Sequence, residues 1–401
     1  MVMSTSWSEL QLHADTDSRY DGVVYVSNRQ EYIAGSGALL FDGRAILTAA
    51  HVVRHAPSGD IEVRFETAAG VVWRKATQVI IDPSYDATNS LHDAALIILD
   101  QPAPAAADRY HLYRSNDELG KTFTMVGYGD IGTGTTGAMS QSTPYRHDAQ
   151  NTFDTTATQL KNALESAMAW TPHGDMTLVA DFDDGSVAHD ALGRLMGLYN
   201  TGLGAAEGLI APGDSGGPAF INGQIAGVAS YVTSLAKAGI TPDVTPYRTD
   251  ASFGEIAAWT RVSNEQQFID QALRQSWTDA PHAPAQVKTV ITEGNAGQIT
   301  TAWFLVNYSG TVTADQPVEV KYTTLDGTAT AGQDYIATQG TLVFYPGEQA
   351  VPIPVEIIGD DIPESNETFY LKIYDPVGGT FPDGATELIG MRTIQDNDAA
   401  L

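Results

Sequence analysis

The chain has 401 residues, a formal net charge of −28 and no cysteine. That length exceeds one ordinary hydrophobic core, so two or more domains are expected. The acidity argues against nucleic acid and anionic membrane surfaces as partners, and the missing cysteines exclude a disulfide framework. No stretch is long and apolar enough to predict a transmembrane helix.

Residues 1–19 are polar and are expected to form a flexible lead. Met1 to Ser6 has neither a basic start nor an apolar stretch, so the expectation is a removed signal or another export route. Short strands are predicted at Val23 to Val26, Gly37 to Leu40, Ala45 to Leu47, Glu62 to Glu66, Val71 to Val79, Ala94 to Leu99 and Thr122 to Val126. Residues 130–196 read as a partly helical insertion. They hold a Gly/Thr loop at Gly132 to Gly137 and a helix over Ala157 to Trp170, with Leu160, Ala163, Leu164 and Ala167 at helical spacing. The acidic turn Asp181-Phe182-Asp183-Asp184-Gly185 is expected to be a solvated loop, with a cation site as the alternative. Strands resume over 219–262. Ser263 is a candidate N-cap for a helix over Asn264 to Gln275, and residues 278–286, with Pro281 and Pro284, read as a linker.

Three motifs along this path carry chemistry. Ala49-Ala50-His51 follows an apolar run, Asp93-Ala94-Ala95-Leu96 comes next, and Gly213-Asp214-Ser215-Gly216-Gly217-Pro218 closes the set. A serine hydroxyl is a poor nucleophile until a base and an orienting acid activate it, and flanking glycines let backbone N–H groups approach a bound carbonyl. The three segments resemble the signature motifs of the trypsin-like (chymotrypsin-fold) serine proteases, in that family's chain order of His, Asp and Ser. Trp259-Thr260-Arg261-Val262-Ser263 resembles the strand before the family's C-terminal helix. The likeness spans roughly residues 20–277 and implies a mainly β domain of two β-barrels. Ser215 would be nucleophile, His51 general base and Asp93 its orienting acid. The N–H groups of Gly213 and Ser215 would form the oxyanion hole.

The same resemblance places Leu209 at the base of the specificity pocket and Ser230-Tyr231-Val232 beside the substrate backbone. With no acid at Leu209 and a valine at Val232, a shallow apolar pocket for small or medium aliphatic residues is expected; core packing of Leu209 and Val232 is the alternative. Asp214 implies a partner for a buried carboxylate: a new N-terminal amine, an Arg or a Lys. Arg19-Tyr20-Asp21-Gly22-Val23-Val24 does not match the family's usual activation sequence.

From residue 287 the pattern changes to alternating strands: Val287 to Ile291, Ile299 to Leu305, Val318 to Thr323, Thr341 to Tyr345, Ala350 to Ile357, Thr368 to Ile373 and Leu388 to Ile394. Such strands with turn signals predict a β-sandwich over 287–401. Acids fall at strand ends, where loops can supply the oxygen ligands of a hard cation. The segment resembles the Calx-β domains through Asp326-Gly327-Thr328-Ala329, Asp334-Tyr335, Pro346-Gly347-Glu348, Asp360-Asp361-Ile362-Pro363-Glu364 and Asp396-Asn397-Asp398. That resemblance implies Ca²⁺ at Glu293, Asp326, Asp360, Asp361, Glu364, Glu367, Asp396 and Asp398. Gly359 and Asn397 depart from the acidic pattern and imply fewer or weaker ions.

The reading is an exported serine endopeptidase, extracellular or periplasmic, acting on protein or peptide substrates and carrying a calcium-binding accessory domain. The alternatives are an adhesion or binding protein with an inactive protease fold, and an esterase using the same triad.

Overall fold

The computed structural model describes residues 1–4, 19–29, 33–140, 145–246, 248–314 and 316–398. They divide into two compact units: residues 1–40 with 44–272, and residues 41–43 with 273–401. The expected proline-bearing linker at 278–286 therefore falls inside the second unit.

The first unit opens with β1 (Val2–Met3). Then come β2 (Val23–Asn28), β3 (Ile33–Leu39), β4 (Ala45–Thr48), α1 (Ala50–Val53), β5 (Ile61–Thr67), β6 (Gly70–Ile81) and β7 (Ala95–Leu99). Strands β2 to β7 close into a six-stranded barrel in the order β2-β3-β4-β7-β6-β5. Alternation explains its inward face: Ile61, Val63 and Phe65 on β5 are fully buried while the residues between them are half-buried. Strand β7 is apolar throughout and buried throughout.

Next along the chain are β8 (Thr122–Gly127), β9 (Ile131–Thr133), β10 (Gly137–Met139), β11 (His147–Thr152), β12 (Thr155–Thr156), α2 (Ala157–Leu164), β13 (Thr177–Asp181) and α3 (Ala191–Met196). After them come β14 (Gly208–Leu209), β15 (Pro218–Ile221), β16 (Gln224–Thr233), β17 (Ile256–Arg261) and α4 (Val262–Ser276). Seven of these strands form one sheet in the order β11-β8-β15-β16-β17-β13-β12. Asn151 on the edge strand β11 donates to the carbonyls of Asp181 (2.8 Å) and Gly208 (3.0 Å), drawing the far side of the sheet toward it. The core behind this sheet holds Phe123, Phe153 and Trp259, with the two phenylalanine rings stacked 3.9 Å apart.

Residues 130–196 are more than an insertion, because β11 and β13 are strands of the main sheet. Their polar residues (His147, Asp148, Gln150, Asn151) hide the strand pattern in the sequence. The expected helix is α2 followed by one 3₁₀ turn at Glu165–Ala167. Ser263 lies inside α4 and does not cap it; its hydroxyl donates to Glu118 Oε1 at 2.6 Å.

Met1–Met3 likewise depart from the expected flexible lead. Val2 pairs with Leu209 and with Gly132, so β1 lies between β14 and β9, and all three residues are buried. The remaining lead, 5–18, lies outside the described residues.

The second unit contains β18 (Val290–Thr292), β19 (Ile299–Asn307), β20 (Val318–Asp326), β21 (Gln339–Phe344), β22 (Ala350–Ile358), β23 (Glu367–Val377) and β24 (Glu387–Gln395). A five-stranded sheet, β18-β24-β23-β20-β21, accompanies the pair β19-β22 around a core of Phe304, Tyr335, Ile353 and Phe369. All seven correspond to the predicted strands, and the sandwich is as expected.

Candidate active site and acidic centres

Strand β4 runs into α1, which carries His51 with its neighbours Ala50 and Val52 fully buried. Small residues are needed here because the helix start packs against the loop bearing Ser215. An added methyl on Gly216 would collide with Thr48 Oγ1 and lie 2.9 Å from the Ala49 nitrogen, and Gly216 has φ +83°. The loop is held from the first barrel by Ser36 on β3. Its N–H donates to the Ser215 carbonyl at 2.8 Å and its hydroxyl to the Gly213 carbonyl at 2.9 Å.

Asp93 is 2 % exposed and meets His51 twice. The His51 backbone N–H donates to its Oδ1 at 2.9 Å, and ring Nδ1 lies 2.7 Å from its Oδ2. An ionised carboxylate only accepts, so Nδ1 carries the proton and Nε2 is left as an acceptor. Ser230 Oγ donates to Asp93 Oδ2 at 2.6 Å, and Thr260 Oγ1 to its carbonyl at 3.1 Å. Burial pushes the Asp93 carboxyl up, but the hydrogen bonds from His51 and Ser230 outweigh it and hold the carboxyl below its ordinary value.

The backbone around Ser215 is sorted. The N–H groups of Asp214, Gly216 and Gly217 donate to Ala211, Ala229 and Asp214 carbonyls at 2.8–2.9 Å. Among the described residues, those of Gly213 and Ser215 donate to nothing, and Ser215 Oγ makes no hydrogen bond. Gly213 sits at φ +95° with an added methyl only 2.9 Å from Gly129 Cα, so no other residue fits. Both residues are half-buried, so these two N–H groups are open to an acceptor from outside the chain.

Asp214 finds its partner in the Met1 amine, 2.8 Å from Oδ2, with both groups essentially unexposed. The amine also donates to the Asp130 carbonyl and lies 3.0 Å from His147 Nε2. The N–H groups of Gly129 and Ala211 complete the carboxylate's shell, at 2.8 and 2.9 Å. Burial lowers the amine's pKa from its ordinary value, against the pull of Asp214.

Leu209 is fully buried, paired with Val2 and packed in the same core as Phe253 and Ala211. The half-buried Val232 packs on that core too, and the Tyr231 hydroxyl accepts from Trp170 Nε1 at 3.2 Å. Ser230, expected only beside the substrate backbone, is also a direct partner of Asp93.

Two further groups stand out. His92 adopts φ +52°, and its Nδ1 lies 2.9 Å from the buried Glu265 Oε1. Burial, then proton sharing with Asp82, pushes the Glu265 carboxyl up to about 9. A carboxyl raised on folding binds its proton more tightly in the folded chain, so its stabilisation is full below pH about 4.5 and is lost as pH rises toward 9. The Glu265→Gln variant should lose less stability than the parent between pH 6 and 9, by up to one proton's worth, about 1.4 kcal/mol per pH unit. Urea unfolding across that range checks it.

The second group is the acidic turn, singled out in the sequence as a solvated loop with a cation site as the alternative. Asp181 and Asp183 are each 2 % exposed, so the solvated-loop expectation fails. Together with the fully buried Asp190 they bring one carboxylate oxygen each within 4.8 Å of one another. Burial, and then neighbouring carboxylates, raise Asp181 well above its ordinary value and Asp183 to about 10. Burial raises Glu207 to about 7 and Asp154 to about 6.

In the second unit the acids form two groups. Glu293, Asp396 and Asp398 converge, as do Asp334, Glu364 and Glu367. Burial, then the charges of Asp360, Asp396 and Asp398, raises Glu293 to about 7. Glu293 Oε1 and Asp398 Oδ2 are buried without a partner, as the ligand oxygens of a hard cation would be. Asp361 Oδ1 accepts from the Ala296 N–H at 3.1 Å, and Asp360 Oδ1 from the Ile362 N–H at 2.7 Å. Asp326 stands apart: its Oδ1 accepts from the Tyr335 hydroxyl at 2.5 Å and the Ala331 N–H at 2.9 Å, so it braces a turn. Asp334, quoted in the sequence only as part of a motif, takes a place in the second group.

A closed barrel and a seven-stranded sheet, with the Ser215 loop held by Ser36 of the barrel, have the trypsin-like serine protease fold, here followed by a β-sandwich. Residues 13–168 match the Trypsin family model and residues 294–398 the Calx-beta domain model, so the chain carries both domain types in that order. The Trypsin match includes His51 and Asp93 and ends before Ser215. Among curated proteins, Sodium/calcium exchanger 2 of Rattus norvegicus is 39% identical over 94 residues, 20% of this chain and 10% of the exchanger. Sodium/calcium exchanger Calx of Drosophila melanogaster is 38% identical over 81 residues, 20% of this chain and 8% of its own. Sodium/calcium exchanger 1 of Canis lupus familiaris is 45% identical over 74 residues, 18% and 7%. The chain thus spans a tenth or less of these relatives' length. Among solved structures, neuropsin, a serine protease expressed in the limbic system of mouse brain, aligns with 65% of this chain and 98% of its own. Its TM-score is 0.45 and its sequence identity 15%.

Proposed function

We propose that the protein is a serine endopeptidase. The observation that carries this is the unpaired N–H pair of Gly213 and Ser215 together with the half-buried His51 bonded to the buried Asp93. Ser215 Oγ attacks the scissile carbonyl carbon while its proton passes to His51 Nε2. Asp93 stabilises the imidazolium, and Ser230 fixes the Asp93 carboxylate. The developing oxyanion is received by the two N–H groups. His51 then gives its proton to the leaving amine, and water repeats the sequence on the acyl-enzyme. In the free protein Ser215 Oγ has no hydrogen bond, and its approach to His51 tightens in the substrate complex. The deciding experiment is hydrolysis of peptide substrates by the chain and by its Ser215→Ala variant; ester cleavage without peptide cleavage would move the reading to an esterase.

By the family resemblance the substrate pocket is read as apolar and suited to small or medium aliphatic residues, with Leu209 and Val232 packed in the core behind it and no acid at Leu209. A peptide library is expected to show cleavage after such residues, and a profile dominated by Arg or Lys would overturn the assignment. The proposed location is outside the cytoplasm, a reading supported by the resemblance to trypsin-like enzymes that are exported.

The sandwich is proposed to bind Ca²⁺. Glu293, Asp396 and Asp398, with Asp360 and Asp361 beside them, would hold one ion; Asp334, Glu364 and Glu367 would hold another. All are oxygen donors suited to a hard cation, which would lock these loops. Pairing Glu293→Gln with Asp396→Asn should weaken calcium binding about 10–100-fold at one site class in calorimetric titration, while the rest of the heat remains.

A further inference from the structure

The catalytic unit holds a second gathering of acids, unrelated to the sandwich. Asp181 ends β13, Asp183 follows two residues later, and Asp190 caps α3. Each carboxylate has one oxygen committed or a neighbour that fixes it. Asp181 Oδ2 accepts from the Leu192 N–H at 2.6 Å, and Asp190 Oδ1 from the Gly193 N–H at 2.6 Å. The Asp183 N–H donates to Glu207 Oε1 at 2.8 Å, and Glu207 Oε2 accepts from the Leu203 N–H. Asp154 accepts from Asn200 at 3.1 Å.

What remains is unbalanced. Asp183 Oδ1 and Asp190 Oδ2 are buried with no hydrogen-bond partner, on residues 2 % and 0 % exposed. Among the described residues no Lys, Arg or His forms an ion pair with Asp154, Asp181, Asp183, Asp190 or Glu207. Buried charge without a counter-charge is strongly disfavoured. Carboxylates whose oxygens converge within 4.8 Å and stay unpartnered are arranged as a cation's ligands are.

We propose that Asp181, Asp183 and Asp190 hold a divalent cation of the calcium type inside the catalytic unit. The donors are all carboxylate oxygens, which suit a hard ion. Their burial favours Ca²⁺, which accepts an all-protein shell, over Mg²⁺, which keeps several waters.

The site also has a route to Asp214. Glu207, bonded to Asp183, accepts the Ser4 N–H at its own carbonyl (3.0 Å) and leads directly into β14. Strand β14 pairs with β1, and β1 carries the Met1 amine to Asp214. Loss of the cation removes the anchor of the 181–190 segment, and with it the support that Asp183 and Glu207 give to β14 and β1.

The test uses the full chain with its sandwich sites disabled by Glu293→Gln, Asp396→Asn and Glu367→Gln. After calcium loading and desalting, native mass spectrometry should find one calcium per chain. Added calcium should raise Tm, and acetylation of the Met1 amine, followed by peptide mapping, should be at least tenfold slower with calcium than with a chelator. Adding Asp183→Asn and Asp190→Asn should remove the ion and both calcium effects, while Asp184→Asn, at the exposed neighbour, should leave them. Equal metal content with and without the Asn pair, or no calcium at all, overturns the site. So does an Asn variant as stable as the parent in chelator with no response of either to calcium, which would show that protons neutralise the cluster. Should the Asn variant not fold, the calcium shift of the disabled chain alone decides: no shift in Tm sinks the proposal. None of these readouts depends on peptide hydrolysis.

Discussion

Ser215→Ala is expected to lower kcat for peptide hydrolysis by about a million-fold, because nucleophile and base act as a unit. Stability should hardly change, within about 0.5 kcal/mol, since the removed hydroxyl makes no hydrogen bond among the described residues. That combination separates a chemical role from a structural one. Asp93→Asn is the companion experiment. It keeps the shape but removes the carboxylate that accepts from His51 and Ser230, so the imidazole takes the wrong tautomer and kcat falls about 10⁴-fold. Residual turnover in both variants measures what the Gly213 and Ser215 N–H groups do alone. Stopped assays with active-site titration are the measurement. Undiminished hydrolysis in Ser215→Ala would remove the serine from the mechanism.

The second large effect concerns the Met1 amine. Its pair with Asp214 is buried at both ends, and removing one partner of such a pair costs about 3–5 kcal/mol because the other charge stays behind. Asp214 lies between the two oxyanion N–H groups, so its displacement disturbs both. Acetylating Met1, extending the chain ahead of it, or making Asp214→Asn should each lower kcat/KM about 10²- to 10³-fold, by the tenfold per 1.4 kcal/mol conversion. The pair needs the ammonium form. Burial has lowered the amine's pKa from its ordinary value of 8.0, so the proton leaves earlier as pH rises, and activity should decline on the alkaline side below the point set by a free amine. An extended chain with full activity would show that Asp214 is held by other means.

Much of this arrangement was legible in the sequence, for a physical reason. The roles proposed for His51, Asp93 and Ser215 each need a residue type that cannot be exchanged, and Gly213 and Gly216 need backbone angles only glycine takes readily. Sandwich strands such as β20 and β23 were legible because one face is buried, which writes a period of two into the chain, whereas β22 is buried on both faces. Other features depend on contacts that leave no local trace. Nothing in Met1-Val2-Met3 says it will seek Asp214. Ser230 reads as one more strand residue until Asp93 is placed beside it. The acidic turn reads as solvated because aspartate is rarely buried, and only the packing of β13 against α3 takes Asp181 and Asp183 out of water. Asp326 and Asp334 show the converse, two acids of one motif parted by a tyrosine hydroxyl.

Ser36 and Gly216 carry a wider meaning. The serine belongs to the second half of the catalytic unit, yet its loop is gripped by β3 of the first, and a bare glycine slots against the start of the histidine helix. The proposed reactive centre is thus a joint, its registry owned by neither half. Drift of the seven-stranded sheet against the barrel would shift the Ser215 loop relative to the His51 helix. Selection for rate at such a centre acts on a seam, so variants far from His51 that slacken it could quench the chemistry with every reactive side chain intact.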